Sequence, residues 1–320
     1  MSSPISAPGS TSDCHSRRRP DRKRNQNERH TLEAHEESLK NRKEKLLPTA
    51  KTRLLGLELL RIRTRAGLTG SDMGLMLNWN ASTVSRLENG LSRAPAGEVA
   101  LYLARAKATP AELDELVSLD RRPDDGYLVS AHPPGFPDGL PIIGMLEQQS
   151  TSITSYDPAE LPHALQIKPY IREVLGHRGY DDQALGAAVR TRLSRLPPSS
   201  LASRVFTFYI PESTLHQRGE HPAVARDQMA HLTSVSLLPR CRLHLVPETA
   251  ALDDIRAGFT LYRHEDHRPV LHHQQPTTSL FLENDADIAF YERYLERVAA
   301  LALSRAETRD RLDHLSTVKR

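Results

Sequence analysis

Cysteine is scarce: the 320-residue chain has two, Cys14 and Cys241, 227 positions apart. That spacing excludes a disulfide framework and a cysteine-based zinc site, and it fits a reducing cytoplasm. Long apolar runs are missing as well. No stretch approaches the ~18–20 residues that would span a bilayer, and the chain opens polar and basic, without the apolar segment of a secretory signal. Membrane and secreted classes are therefore not expected. Neither a Walker loop nor a GxGxxG is found, and no repeat recurs at about 20–50 residues. Ser199-Ser200 lies in a loop after Pro197-Pro198 and has no nucleophile-elbow pattern. No catalytic residue and no cofactor is expected, and the chain is not expected to be an enzyme.

What is present is an asymmetry of charge. Residues 1–122 hold 22 lysines and arginines against 15 acids, a balance of +7, whereas residues 123–320 hold 21 against 25, a balance of −4. A basic first third suits a polyanionic partner and an acidic remainder suits another task. The run Arg17-Arg18-Arg19-Pro20-Asp21-Arg22-Lys23-Arg24 lies in a segment with almost nothing to form a core, so residues 1–50 read as a disordered basic tail. Thr31–Leu47 is helix-permissive with charge on nearly every face. The tail either steers the chain to nucleic acid or is simply solvated. Residues 51–122 read as short helices punctuated by Gly, Asn and Pro. A Pro/Gly-rich linker at 123–141 follows, and a larger domain occupies 142–320.

The most informative segment is Leu55–Gly90. Leu55, Leu59, Ile62 and Ala66 make one apolar helical face, which Gly67 ends. Thr69 can cap a two-turn helix, Gly70–Leu77, with Met73, Gly74 and Leu77 inward. Asn78, Trp79 and Asn80 make a turn in which Asn78 tolerates positive φ. Asn80 caps a second helix, Ala81–Glu88, with Val84 and Leu87 inward and Asn89-Gly90 as its stop. Two helices crossing steeply over three residues need a small residue at the close approach and a left-handed residue in the turn; this is helix-turn-helix spacing. The outward face of the second helix keeps Ala81, Ser82, Thr83, Ser85 and Arg86, short groups that let a helix approach base edges. Trp79, the only tryptophan, either plugs the core or stacks on a base.

These residues resemble the Xre/Cro–C1-type helix-turn-helix family, whose motif reads approximately LGxxLRxLRxxAGLTQxxLAxxLGVSxSTVSRIExGxxxP. Leu55-Gly56, Leu59, Ile62-Arg63, Ala66-Gly67-Leu68-Thr69, Ser82 to Gly90 and Pro95 match it. The resemblance implies a five-helix DNA-binding domain continuing through Pro95–Ala108 and Pro110–Leu119, with double-stranded DNA as partner. Implied contacts are Thr69, Ser71, Asn80, Ala81, Ser82, Thr83, Ser85 and Arg86, and an Arg63–Glu88 ion pair is implied as a structural clasp. Gly70 stands where the family has Gln, so Ser71 or Thr69 would take over a phosphate contact. Gly74 replaces Ala and Asn78-Trp79 replaces Gly-Val. Gly70 and Gly74 each lower helix propensity by about 1 kcal/mol relative to Ala.

The second domain mixes periods. Ile142–Tyr156, His163–Leu175, Leu185–Leu196, Pro222–Leu237 and Ala286 to about Leu315 read as helices. Val205–Ile210, Arg242–Val246, Phe259–Tyr262, Pro269–His273 and Ser279–Leu282 read as strands. An α+β domain is expected, a sheet of about five strands covered by helices. Its motifs (Leu161 to Gln166, Pro211 to Leu215, Gln228 to Leu232, Ala299–Ser304) resemble an uncharacterised domain downstream of such modules in actinobacterial regulators. The resemblance implies a regulatory or partner-binding role, and the small proteins often encoded beside such regulators are candidate partners. Gln166, Tyr170, Glu212 and Gln228, polar residues inside these motifs, are the positions proposed for ligand or partner contact, although a structural hydrogen bond suits each. His264-Glu265-Asp266-His267 and His272-His273 offer ligand types, but structural or surface roles are preferred and no metal is expected. The overall expectation is a cytoplasmic, nucleoid-associated homodimeric transcriptional regulator. The alternatives are an antitoxin-like or anti-regulator interaction module with a vestigial helix-turn-helix and, third, a DNA-tethered enzyme.

Overall fold

The computed structural model describes residues 47–95, 97–132, 140–177, 180–195, 204–216, 221–250 and 257–317; of the tail expected over 1–50, residues 1–46 lie outside them. Thr49, extended, accepts from the Thr52 amide and starts α1, Ala50–Arg65, so the helical domain begins inside the segment expected as tail. Then come α2 (Gly70–Leu77), α3 (Ala81–Glu88), α4 (Glu98–Arg105) and α5 (Pro110–Arg121). Thr109 and Glu112 form a capping box at α5, with Pro110 in its first turn. Leu59, Ile62, Met73, Val84, Tyr102 and Leu103 are buried at the centre of this bundle.

Seven strands form one sheet: β1 (Tyr127–Ala131), β2 (Ser152–Tyr156), β3 (Val205–Pro211), β4 (Cys241–Val246), β5 (Phe259–Arg263), β6 (Val270–Gln274) and β7 (Thr278–Leu282). Their spatial order is β1-β7-β6-β5-β2-β3-β4. β2, β3 and β4 are parallel, and every other pairing is antiparallel. Parallel neighbours need long crossovers. α7 (Lys168–Gly176) and α8 (Asp182–Arg195) supply one, and α9 (Glu212–His216) with α10 (Pro222–Ser236) supplies the next. α6 (Pro141–Gln149) precedes β2, and α11 (Asp285–Leu301) and α12 (Arg305–Thr317) close the chain. β3 alternates buried with half-buried residues, and its Phe206, Phe208 and Ile210 share a core with Ile142, Leu146, Leu232 and Leu312. A second core sets Tyr156, Phe259 and Leu271 against Ile288, Tyr294 and Val298 of α11.

Four expectations need correction. The stretch 123–141 is not wholly a linker, because β1 lies in it and pairs with β7; Leu128 alone is buried while apolar Tyr127, Val129 and Ala131 are exposed, so the strand carries no polar–apolar alternation. Ile142–Tyr156 is not one helix. It breaks at Ser150, and Ile153 to Tyr156 are all buried in a central strand, which erases the period-two signal. These two account for seven strands instead of about five. His163–Leu175 divides into a 3-10 turn, His163–Leu165, and α7. The terminal helix also divides. Ser304 and Glu307 form a capping box, with the Ser304 amide 2.8 Å from Glu307 Oε2, and the Leu303 amide donates to the Leu245 carbonyl at 2.8 Å.

The bundle and the sheet domain form one compact unit from Leu47 onward. α1 is held at its start: the Ala50 amide donates to both Glu283 oxygens, at 2.8 and 2.9 Å, a carboxylate at a helix N-terminus. Arg53 donates to Gln149 Oε1 from Nε at 3.1 Å and also from Nη2, and Lys51 Nζ donates to the Asp120 carbonyl at 3.0 Å. Burial pushes the Glu283 carboxyl from 4.5 up to about 7, against the opposing pull of the Ala50 amide and Arg53. A carboxyl whose folded pKa is raised favours folding in its protonated form. That contribution is complete below about 4.5 and is lost as pH rises to about 7. Glu283→Gln keeps an acceptor for Ala50 and removes the titration. Denaturant unfolding across pH 4–8 is expected to show the variant gaining on the wild type between about 4.5 and 7, with a constant gap above.

Candidate nucleic-acid interface

The close crossing of α2 and α3 depends on two residues. A side chain at Gly74 would place Cβ 2.7 Å from the Trp79 carbonyl oxygen, so only glycine fits this backbone approach. Asn78 adopts φ 56° and ψ 40° as the C-cap of α2, and the Trp79 amide donates to the Gly74 carbonyl at 2.8 Å. Trp79 is half-buried and packs against the core.

α3 is then fixed along its inner side. Val84 and Leu87 enter the core. Arg63 grips Glu88 with two bonds, Nε to Oε1 at 2.6 Å and Nη2 to Oε2 at 2.8 Å, and its Nη1 donates to the Leu68 carbonyl at 2.6 Å. The Tyr102 hydroxyl also donates to Glu88 Oε1. The hydrogen bond to Glu88 raises the Arg63 pKa, and burial raises that of Tyr102. A carboxylate buried here is satisfied by a charged fork and a phenol, which makes the clasp strongly dependent on both cationic and neutral partners.

The other side of α3 faces solvent. Ala81, Ser82, Ser85 and Arg86 are exposed and Thr83 is half-buried. Asn80 caps the helix, its Oδ1 accepting from the Thr83 amide at 2.8 Å and from the Ser82 and Thr83 hydroxyls at 2.7 Å each. Those hydroxyls therefore keep their oxygen lone pairs for an incoming donor. Among the described residues Arg86 has no ion-pair partner, so α3 presents one uncommitted guanidinium. α2 differs: Thr69 donates both its amide, at 2.8 Å, and its hydroxyl, at 2.6 Å, to Asp72 Oδ2. This capping box uses the donors expected of Thr69 for phosphate and leaves exposed Ser71 for that contact. Asp72 was missed in the sequence, where the spacing Thr69-x-x-Asp72 is its signal.

Family models match both halves of the chain. A model described as a helix-turn-helix domain matches residues 54–116, and one described as a domain of unknown function (DUF5753) matches residues 142–314. The chain belongs to the DUF5753 family. No curated protein matches it. Among solved structures, that of TrmBL2, an archaeal chromatin protein said to show a novel mode of DNA binding, is similar at 11% identity over 80% of this chain and 100% of that one. Its TM-score of 0.27 is too low for a shared overall fold.

Within the DUF5753 domain, three of the four polar candidates are engaged internally. Gln166 donates to the Leu161 carbonyl at 2.7 Å and accepts from Arg192 at 3.0 Å. Gln228 accepts from the Ile167 amide at 2.9 Å and donates to the Leu165 carbonyl at 2.7 Å. Glu212 pairs with Arg311 at 2.6 Å. Tyr170 stands on a cavity that Gln228 also lines, and its hydroxyl is uncommitted among the described residues. His264 and His267 meet edge to face, their ring centroids 5.9 Å apart, and the other candidate histidines are engaged elsewhere. His272 contacts Ser279 Oγ at 3.0 Å and stacks on Phe281, His273 donates to the Gly258 carbonyl, and His264 and His267 lie beside Arg53. Among the described residues no three metal-ligating side chains converge, and no helix is long and apolar enough to cross a membrane.

The clasp is testable apart from any DNA. Glu88→Ala leaves Arg63 and Tyr102 without their acceptor and is expected to cost about 3–5 kcal/mol in chemical denaturation. Ser82→Ala and Ser85→Ala on the opposite side are expected to stay within about 0.5 kcal/mol of the wild type.

Proposed function

We propose that this chain is a sequence-specific transcriptional regulator of the Xre/Cro–C1 type, working in the cytoplasm by binding rather than by catalysis. α3 enters the major groove, with Ser82 and Thr83 offering their oxygens to donors on base edges, Ser85 and Arg86 toward bases or phosphates, and Ala81 available to a thymine methyl. Ser71 and the first turn of α3, including Asn80, lie toward the backbone. The observation that carries this is the division of α3 into a locked inner side and an exposed row of short polar groups. The DUF5753 domain supplies dimerisation and receives a signal or a small partner protein. One helix of eight residues reads only a few base pairs, so a homodimer on half-sites about 34 Å apart gives usable specificity.

A second reading, an interaction module that titrates a partner, is favoured by Asp72. Its carboxylate closes the N-terminus of α2, where a phosphate would otherwise sit. Gel retardation with the DNA upstream of its own gene separates the two. The regulator is expected to shift that DNA, with affinity falling steeply between 50 and 200 mM salt. Arg86→Ala with Ser82→Ala is expected to abolish protection of the site while leaving the unfolding midpoint unchanged. Retained protection, or affinity indifferent to salt, contradicts the groove-binding assignment.

A further inference from the structure

The second domain contains a cavity of about 500 Å³ at the meeting of α7, α9, α10 and α12. That size lies within the range of about 300–1,000 Å³ seen for small organic ligands. Its walls are mainly apolar, with Leu161, Leu215, Met229 and Leu315 among them. Tyr170 is only 7% exposed, and its hydroxyl has no hydrogen-bond partner among the described residues. Burial raises its pKa, so the phenol stays protonated and can donate. The ring is buried while the hydroxyl oxygen itself stays accessible, and it opens onto the cavity. Thr214 gives its own proton to the Pro211 carbonyl at 2.8 Å, so its oxygen can only accept from an occupant. Gln228 also lines the space, but both ends of its amide are bound to backbone. Arg226 and Asp313 are the charged residues of the lining, one of each sign, which leaves no net charge to recruit an ion.

We infer that this cavity binds a small, neutral, largely apolar organic molecule whose carbonyl or hydroxyl oxygen accepts from Tyr170, and that this molecule is the signal the second domain receives. The inference rests on the regulator reading for its meaning, whereas the site rests on the cavity alone. A ligand hydroxyl can also donate to Thr214.

The probe is 6-propionyl-2-dimethylaminonaphthalene, a neutral aromatic ketone whose emission brightens and shifts to the blue in an apolar site. Titrated into the full chain, it is expected to bind saturably at one site. Tyr170→Phe removes one neutral hydrogen bond and is expected to weaken binding about three- to tenfold. Ala225→Trp, from the α10 wall, fills the space and is expected to abolish binding with helix content and cooperative unfolding preserved. If that variant does not fold, Tyr170→Phe decides alone. Absence of saturable binding, or saturable binding indifferent to the variants, overturns the inference. Binding that appears only in a chain cut after Ser316 also overturns it, in favour of the chain's own end as occupant. DNA retardation on the same samples keeps the two ideas apart. Probe binding without a DNA shift removes the regulator reading and leaves the cavity site, and a DNA shift without probe binding does the reverse.

Discussion

The two-bond grip of Arg63 on Glu88 fixes which side of α3 meets water. Both residues are nearly buried, at 12% and 6% side-chain exposure, and Tyr102 adds a third donor. Removing either charge would strand the other in a poorly solvated place, so the pair acts less as a source of stability than as a constraint on orientation. Once Val84, Leu87 and Glu88 are inward, Ser82, Ser85 and Arg86 have no direction left but outward. The turn at Asn78 sets α3 against α2, and Gly56, where a Cβ would lie 2.4 Å from the Glu88 carbonyl oxygen, lets α1 approach α3 closely enough for the grip to reach.

α1 connects this constraint to the rest of the protein. Its last turn carries Arg63, and its first turn is held by Glu283 and, through Arg53, by Gln149. Sixteen residues of helix span about 24 Å, with α3 anchored at one end and the DUF5753 domain at the other. The hydrophobic core is likewise continuous from Leu59 through Ile142 to Phe206. The bundle is therefore joined to the sheet domain by a shared helix and shared packing, with β1 as part of the connection.

The helical bundle was the more legible half because its signals are local. Thr69, Asn78 and Asn80 each act within four residues of their own position, so caps and turn could be placed from the sequence, and α2 and α3 have the expected limits. The sheet depends on partners far along the chain. β2 pairs with β3 some fifty residues on and with β5 more than a hundred on, and burial on both faces removes the alternation that marks a strand. β1 is stabilised by β7 at the other end of the domain, so its own five residues say little. The capping box at Ser304 was legible in principle, but the apolar stripe running through Val298 and Leu301 masked it. Of the polar motif residues, Gln166 serves the Leu161 carbonyl and Arg192, and Gln228 serves the backbone at Leu165 and Ile167, roles that spacing alone cannot separate from ligand contact.

Methylation interference measures the central claim most directly, because guanine N7 lies in the major groove and adenine N3 in the minor groove. With DNA methylated before binding, the account predicts that N7 methylation inside the site excludes the protein while N3 methylation does not. Interference at adenine N3, or at neither position, would contradict the placement of α3 in the major groove.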